Sequence, residues 1–598
     1  MGIGLSFQYN QFFDDDVPRV EDLLRHIPSR MVMVMLATAN EMLCTKGDHP
    51  AVQQFLLETF TANLPKDQEK VIRERGMSGI YSGYRLFSIQ HTVEFINREL
   101  INYREVHTGK IYKSELGYYT LNVFKAYLVI MDEMNTRNTI DQMMLIEEAK
   151  KGGYNLIRLM WMHMIRQFEF AHRPNPVLEA YKSMALISYL ERHDKFGPVI
   201  KPYFKTLQCE NGQDYLGWLL EILMPHQMTR SVNPNRHYCR MFLKEPDPTL
   251  EILVIDPATV AHDPDKQLDY IGLKERPLTK YKDGSYVISC FDYVHNALFN
   301  GLVRSVYEHS GVKSLFEDGT DTKEGAAGGG FGRFRDTIEK ELSEAILFKN
   351  IMVRCFTRKY DCLKFFDDHE PFNPGCYYRH NNHIFLFEFK DHLLNGSVIH
   401  TDSFDRIKAG LDELLVRQRT EVNGEEKPAG KDVSGLAKNI VLLANDGHLF
   451  YSVDELAGNK QLQLRDMIIH PVIIHTNVYL EIPGFREYLD DILQERLASV
   501  KGYFKRIDSF KLVHLKYFFE RILFFANSRL ELHEEFEYVN DLIRKQQLKS
   551  QNTLELDDWF DVYTPFSSIY SRKVRELPVY SSDELGAAII DCWQIETE

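Results

Sequence analysis

A carboxylate and an ammonium group stand two residues apart in the apolar segment HIFLFEFK, residues 383–390. The segment reads as a β-strand, in which side chains of one parity share a face, so Glu388 and Lys390 point the same way and the three phenylalanines point the other. Burying these charges is costly unless the face opens on a cleft, or the charges meet each other or a metal. The pair therefore predicts either an ion pair on the solvated face of an edge strand or a functional site.

The strand is predicted to be the second arm of a hairpin. In CYYRHNNHIFLFEFK, two apolar or aromatic runs flank Asn381 and Asn382, and asparagine tolerates the left-handed backbone of a tight turn. His380 and His383 flank the same turn with HxxH spacing. They could be metal ligands, but a pair of surface histidines beside a turn is the favoured interpretation.

The elements around this hairpin follow a definite order. A helix is expected over 334–348, with Phe334, Ile338, Leu342 and Ile346 on one face. A strand-rich block ends in Glu-Phe-Lys, a helix over 404–417 follows with Ser403 as its cap, and MIIHPVIIHTNVYL gives a strand at 467–475 that is buried on both faces.

This order, together with FLFEFKD, resembles the PD-(D/E)xK, or restriction-endonuclease-like, superfamily over about residues 330–480. The resemblance implies a core helix, a meander whose third strand ends in (D/E)xK, and a helix and further strand that complete the sheet. It also implies that carboxylates hold Mg²⁺ or Mn²⁺, which polarises a phosphate and lowers the pKa of a bound water. Glu388 would then be a metal ligand and Lys390 would orient the water. Glu339, or a neighbour on the 334–348 helix, would supply the accessory helix carboxylate.

The sequence departs from the family at one ligand. The family's aspartate lies near the start of the strand before (D/E)xK, where this chain has NPGCYY, with Gly375 and Cys376 in its place. A lone carboxylate beside an ammonium holds a divalent cation poorly, and a thiolate is a poor ligand for Mg²⁺. We predict that Asp368, in the 361–368 segment, supplies the second acid. The alternative is a degenerate site that keeps the fold without cleavage.

Nucleic acid, most often DNA for this family, is the substrate that the resemblance implies. The formal net charge of −15 requires a local basic patch for such binding. FKNIMVRCFTRKYDCLKFF offers one, through Arg354, Arg358, Lys359 and Lys364 among aromatic residues. A solvated strand face is an equal interpretation of that segment.

The fold class expected for the whole chain is a multidomain α/β protein, because 598 residues exceed one hydrophobic core. We predict a helical region over 1–245 that packs separately from the sheet and recognises a partner or substrate. A small strand and helix connector follows over 246–320, where TLEILVIDP reads as a strand. A nuclease-like α/β domain is expected over 321–500 and a helical C-terminal region over 501–598. The glycine-rich segment EDGTDTKEGAAGGGFGR lacks the lysine of a P-loop and reads as a mobile loop.

The cellular compartment is inferred from what the sequence lacks. The eight cysteines form no CxxC pair, which is typical of reduced thiols. The most apolar early stretch, MVMVMLATANEML, is too short to span a bilayer and does not have the layout of a signal peptide. We expect a cytoplasmic protein. By analogy with the family, its context would be restriction, repair or anti-phage defence.

Overall fold

A computed structural model describes most of the chain, namely residues 7–104, 113–149, 161, 165, 176–223, 240–242, 247–257, 270–281, 283–317, 329–357, 362–366, 370–392, 394, 396–399, 403–416, 419–422, 425–428, 432–454, 462–482, 484–550 and 566. By contacts the chain divides into two compact units. The helical unit comprises residues 2–147 and 173–334, and the sheet unit comprises 148–172 and 335–598 together with residue 1. The segment expected to be a separate connector thus belongs to the helical unit, and the C-terminal region belongs to the sheet unit.

Helices dominate the first unit, as its sequence predicts. Their starts follow simple signals: Pro176 opens one helix, and the Ser88 side chain caps another by accepting from the His91 N–H. The helices, numbered α1 to α9, are Val20–Leu24, Ser29–Lys46, Pro50–Thr61, Lys66–Tyr81, Ile89–Ile101, Lys113–Ala149, Pro176–Arg192, Gly197–Thr206 and Gly212–Leu223.

A small antiparallel sheet follows in the same unit, with strand order β1-β3-β2. Its strands are β1 Arg240–Phe242, β2 Leu278–Lys280 and β3 Ser285–Ile288, and short helices surround them: α10 Pro248–Glu251, α11 Ile271–Glu275, α12 Phe291–Asn296, α13 Leu302–His309 and α14 Val312–Glu317. The predicted strand in TLEILVIDP is wrong. Asp247 accepts from the Thr249 N–H and Pro248 fixes the first helical turn, so α10 forms there and only Val254 makes an isolated bridge.

One long helix enters the sheet unit, made of α15 Gly329–Ile338, a π-helical segment Glu339–Phe348 and α16 Lys349–Phe356. Its apolar face was predicted with α-helical spacing throughout. Leu342 is buried as expected, but the next buried apolar residue is Leu347, five residues on, and Ile346 is only half-buried. The wider π-helical turn, with i→i+5 hydrogen bonds, shifts the buried face by one residue.

The main sheet is mixed, with strand order β10-β9-β6-β5-β4 and β11 also paired to β9. β5 runs antiparallel to both β4 and β6, whereas β9 is parallel to β6 and to β10 and β11. The strands are β4 Cys362–Lys364, β5 Cys376–His380, β6 His383–Lys390, β9 Ile468–His475, β10 Arg506–Ile507 and β11 Lys511–His514, and a separate hairpin is formed by β7 Arg419–Val422 and β8 Glu425–Pro428. The prediction that residues 383–390 form an interior strand of a mixed sheet is confirmed.

Helices cover both faces of this sheet. Ile384 and Leu386 on β6 pack into a core with the helices Phe404–Leu411, Val433–Asn445 and Phe485–Arg496, and on the opposite face Phe389 stacks on Phe348. The predicted parity of β6 is therefore confirmed. The helices are α17 Gly396–Ile399, α18 Phe404–Leu411 with a π-helical extension Asp412–Val416, α19 Val433–Asn445, α20 Gly447–Val453, α21 Phe485–Arg496, α22 Leu515–Ala526 and α23 Leu532–Ser550.

Two details of the hairpin and of α18 are as predicted. His380 pairs with His383 across a two-residue turn, and Asn381 has a left-handed backbone with φ of 53°. The Ser403 side chain accepts a hydrogen bond from the Arg406 N–H and so caps α18.

β9 is buried along its whole length although it contains Pro471, which cannot donate to a ladder. β10 pairs with Ile468 and Ile469, and β11 takes over from Val472. The ladder on this side therefore skips the proline, and the chain between β10 and β11 carries Asp508, whose N–H donates to the Ile469 carbonyl.

Two expectations about chain organisation are wrong. Residues 506–514, expected to lie in a helical region, form strands that join the sheet, because they pair with the apolar β9. Trp161 of the predicted helical region belongs to the sheet unit, where its ring packs on Phe404 and Phe485. In the part of the chain that the structure describes, the helices include none with an apolar stretch sufficient to cross a membrane.

Candidate functional site

Glu388 is fully buried near the end of β6, so it does not lie on a solvated edge strand. Its Oε2 accepts a hydrogen bond of 3.3 Å from the Gly375 N–H, and its Oε1 accepts one of 3.3 Å from Asn439 Nδ2. Both donors favour the charged form of a carboxylate. The surroundings of Glu388 in the described residues therefore include a backbone amide and a side-chain amide.

Asn439 is held in one orientation. It lies on α19, buried, and its Oδ1 accepts from the Asn373 N–H at 3.1 Å. Because that acceptor role fixes which amide atom is oxygen, Nδ2 is left to face Glu388. No sequence pattern pointed to this residue, because it lies 51 positions from Glu388 in a helix with an ordinary core pattern.

Lys390 is 3 % exposed and lies opposite His475 in the parallel ladder. Its backbone carbonyl accepts from the Thr476 N–H at 3.2 Å, which ties the ends of β6 and β9 together. The two central residues of the predicted site, Glu388 and Lys390, are thus carried together by one interior strand.

Asp391, which the sequence analysis missed, anchors the end of β6. The carboxylate is buried and accepts from Ser343 Oγ at 2.5 Å and from Thr476 Oγ1. Arg335 lies 3.6 Å from its Oδ1. These contacts join the strand end to the long helix and to β9, and so fix the backbone that carries Lys390.

Glu339, the predicted accessory ligand, lies on the helical layer that covers the phenylalanine face of β6, opposite Glu388. Its Oε1 accepts from the Asp391 N–H at 3.4 Å, and its Oε2 pairs with His392 Nδ1. Asp336 Oδ1 lies 4.0 Å from His392 Nε2. The Glu339 carboxylate, which accepts from the His392 imidazole, raises the pKa of His392 against the effect of burial.

Asp336, Glu339 and His392 have ligand atoms within 4.8 Å of one another, and in the described ranges they form the one group of three or more such side chains that is this close. Glu388 is outside it. The predicted second ligand, Asp368, lies outside the described residues. The Gly375 and Asn439 groups that contact Glu388 do not make a Mg²⁺ site, because both donate hydrogen bonds and neither supplies an oxygen ligand. The Lys390 ammonium on the same face also disfavours a cation.

Gly375 and Cys376, which the resemblance predicts to stand where the family has an aspartate, lie at the start of β5 close to Glu388. Burial raises the pKa of the Cys376 thiol, and the nearby Cys362 and Glu388 raise it further, so this side chain stays a neutral thiol. A Cβ built on Gly375 would lie 3.5 Å from Glu388 Oε2 and 3.2 Å from the Phe387 carbonyl oxygen. Position 375 therefore faces the Glu388 carboxylate directly.

The predicted basic patch is divided between two elements. Arg354 is half-buried on α16, whereas Lys364 is half-buried on β4, so the segment is not one strand face. Arg358 and Lys359 lie outside the described residues.

His380 and His383 do not form a surface pair. His383 is 7 % exposed, and its Nδ1 lies 2.8 Å from Nε2 of the fully buried His470. The expectation of two surface histidines is wrong for His383, because β9 supplies a buried imidazole beside it.

Known proteins offer no assignment. Comparison of the chain with protein-family models, with curated proteins and with solved structures gives no match in any of the three. The function must therefore be argued from the residues themselves.

Proposed function

We propose that the sheet unit is a metal-dependent nuclease-type domain of the PD-(D/E)xK class, which cleaves phosphodiester bonds in DNA. The observation that carries this proposal is the placement of Glu388 and Lys390. Both are almost completely buried on one face of an interior strand, where a charged side chain is costly unless it is paired, hydrogen-bonded or bound to a metal.

The architecture supports the proposal. The long helix 329–356 precedes the antiparallel meander β4-β5-β6, whose third strand ends in Glu-Phe-Lys. Helices α18 and α19 follow, and then β9, which pairs parallel to β6. This is the order of elements that the resemblance implies, although fold likeness alone does not establish an activity.

The proposed roles follow from position. Glu388 supplies one carboxylate, and Lys390, on the same face and close to the strand end, provides the cation that orients a water molecule. The second carboxylate comes from the 361–368 segment, with Asp368 as the proposed residue. Arg354, Arg358, Lys359 and Lys364 contact the phosphate backbone, and the helical unit recognises a partner or the substrate.

A second candidate function is a degenerate nuclease fold that serves as a nucleic-acid-binding or scaffold protein. One observation favours it: the Gly375 N–H and the Asn439 amide take up oxygens of Glu388, and position 375 has no side chain. In this alternative the amides hold the carboxylate where the active family uses a metal.

A cleavage assay on several substrates separates the two functions. The full chain is incubated with plasmid, linear and single-stranded DNA and with RNA, in Mg²⁺, Mn²⁺ or EDTA. The nuclease proposal predicts cleavage that requires the divalent cation, is lost in Glu388→Ala and persists in Glu495→Gln, an exposed control on α21. Binding without cleavage in either metal would support the degenerate fold.

A further inference from the structure

A chain of buried polar side chains crosses the sheet from β6 toward β10. His383 Nδ1 lies 2.8 Å from His470 Nε2, and His470 Nδ1 lies 3.0 Å from Asp508 Oδ2. His470 is fully buried and Asp508 is 6 % exposed. Asp508 is in place because the ladder of β9 is interrupted at Pro471, next to His470.

The protons of this chain have one consistent arrangement when both imidazoles are neutral. A proton on His470 Nδ1 faces the Asp508 carboxylate, which leaves His470 Nε2 to accept from His383 Nδ1–H. His383 Nε2 then carries the lone pair at the outer end of the chain. A proton that enters this chain of side chains would have to be held at His383 or passed inward to His470.

The outer end of this chain of side chains meets α23, the last helix that the structure describes. The His533 ring stacks on His383 with centroids 4.3 Å apart, and it also lies 6.0 Å from His380. One turn later, the Phe536 ring packs edge-on against the Phe385 ring, with centroids 5.7 Å apart. The first turns of α23 therefore dock on the sheet through imidazole and phenyl rings, which pack best when the imidazoles are uncharged.

The environment keeps these imidazoles neutral. Burial lowers the pKa of His383 to about 3, with His470 and His533 adding to the effect, and burial also lowers the pKa of His470 and of His533. Burial raises the pKa of Asp508, but the hydrogen bond from His470 and nearby positive charges outweigh it, and this pKa falls to about 2.

We propose that His533, His383, His470 and Asp508 form a proton-sensitive contact that releases α23 from the sheet as the solution becomes acidic. We call these four residues the histidine column. Among the described residues, the other titratable or charged groups that face it from the surrounding elements include His380, Arg506, Lys511, Glu531, Glu534 and Glu537.

The sign of the effect follows from linkage. When α23 undocks, the exposed imidazoles return toward an ordinary pKa of about 6.5 and take up protons below that pH, whereas the docked imidazoles do not. Docking is therefore complete above pH 6.5 and weakens as the pH falls toward the lowered values. Replacing the imidazoles one at a time separates their contribution from that of the neighbouring glutamates.

Hydrogen exchange of the full chain at pH 7.5 and pH 5.0 tests the proposal, with exchange times scaled for the intrinsic pH dependence. We expect the protection of the α23 amides to fall at least tenfold at pH 5.0, while α19 amides in the same unit keep theirs. His533→Phe keeps the stacked ring without a titratable nitrogen. His383→Asn keeps a donor toward His470. In each variant, the protection of the α23 amides should fall less than threefold between pH 7.5 and pH 5.0.

His448→Gln is the matched control, because His448 is exposed on α20. It should respond to pH as the wild type does. Equal protection of α23 at both pH values in the wild type would overturn the proposal. So would a tenfold loss that persists unchanged in both column variants.

Discussion

The Gly375 N–H donates a hydrogen bond of 3.3 Å to Glu388 Oε2, at the chain position where the resembled family has an aspartate. The Asn439 amide donates to the other oxygen of the same carboxylate. A buried carboxylate thus accepts from two neutral donors, and the stability of the sheet unit depends on them. A metal at the proposed site would have to compete with these donors for Glu388.

Asn439→Ala should lower the free energy of unfolding of the sheet unit by about 1–3 kcal/mol, because it removes a donor to a buried carboxylate and an acceptor for the Asn373 N–H. Urea unfolding followed by circular dichroism measures the change. Asn445→Ala, on the exposed end of the same helix, is the control and should change it by less than about 0.5 kcal/mol. A loss of equal size in both variants would remove the special role of Asn439.

Gly375→Asp should create a metal-responsive protein. Gly375 is not among the positive-φ residues, and its Cβ would point at Glu388 Oε2 from 3.5 Å. Without a cation, the introduced carboxylate and that of Glu388 repel each other, whereas a divalent cation can bind between them. Mg²⁺ or Mn²⁺ should therefore raise the melting temperature of the variant. A cation at 100 times its dissociation constant contributes about 2.7 kcal/mol. Gly375→Asn is the uncharged control, and an equal metal response in the two variants would contradict the assignment of position 375.

The fold was readable from sequence where one local signal decided it. The alternation in β6, the asparagines of the turn, the Ser403 cap and the apolar run of β9 each act within a few residues. Ile346 was misplaced because a π-helical segment obeys no simple α-helical period. The strands at 506–514 were missed because they are short and depend on pairing with β9.

The site was only partly readable for the same reason. Glu388 and Lys390 are conspicuous because they interrupt an apolar strand. Asn439 and Asp391 become important only through contacts made by distant segments. The one available signal for the histidine column was HxxH followed by a histidine and a proline in the apolar run IIHPVIIH, but pairing His383 with His470 requires the register of two strands 87 residues apart.

His91 should make the helical unit sensitive to acid. Burial lowers the pKa of His91 to about 4, and the nearby Glu94 opposes this shift in part. The unfolded chain takes up a proton below pH 6.5 that the folded unit resists, so stability falls between pH 6.5 and 4, by at most ~3 kcal/mol. Melting temperatures at pH 7.5 and 5.0 should therefore differ less in His91→Gln than in the wild type. His309→Gln, at an exposed position, should behave as the wild type, and the prediction is wrong if His91→Gln does too.

Nucleic-acid binding should depend on the basic patch. Replacing Arg354, Arg358 and Lys359 by alanine should weaken binding to all sequences and reduce the slope of log K against log salt by about 0.9 for each lost phosphate contact. Fluorescence anisotropy at several salt concentrations measures both quantities. The charge-matched control replaces the exposed Lys201, Lys205 and Lys438. Equal losses in the two triple variants would place the interface elsewhere or show that only net charge matters.

The most direct test of the proposed nuclease site is the initial rate of plasmid cleavage in Mg²⁺ or Mn²⁺ for the wild type, Glu388→Ala, Lys390→Met and Asp368→Asn. Circular dichroism of each variant checks that it is folded. If Glu388 and Lys390 form the centre of a metal-dependent site with Asp368 as the second ligand, the wild type cleaves, EDTA stops it, and all three variants lose at least 100-fold in rate. Cleavage by Glu388→Ala at the wild-type rate, or a wild type that binds DNA but cleaves nothing in either metal, would contradict it.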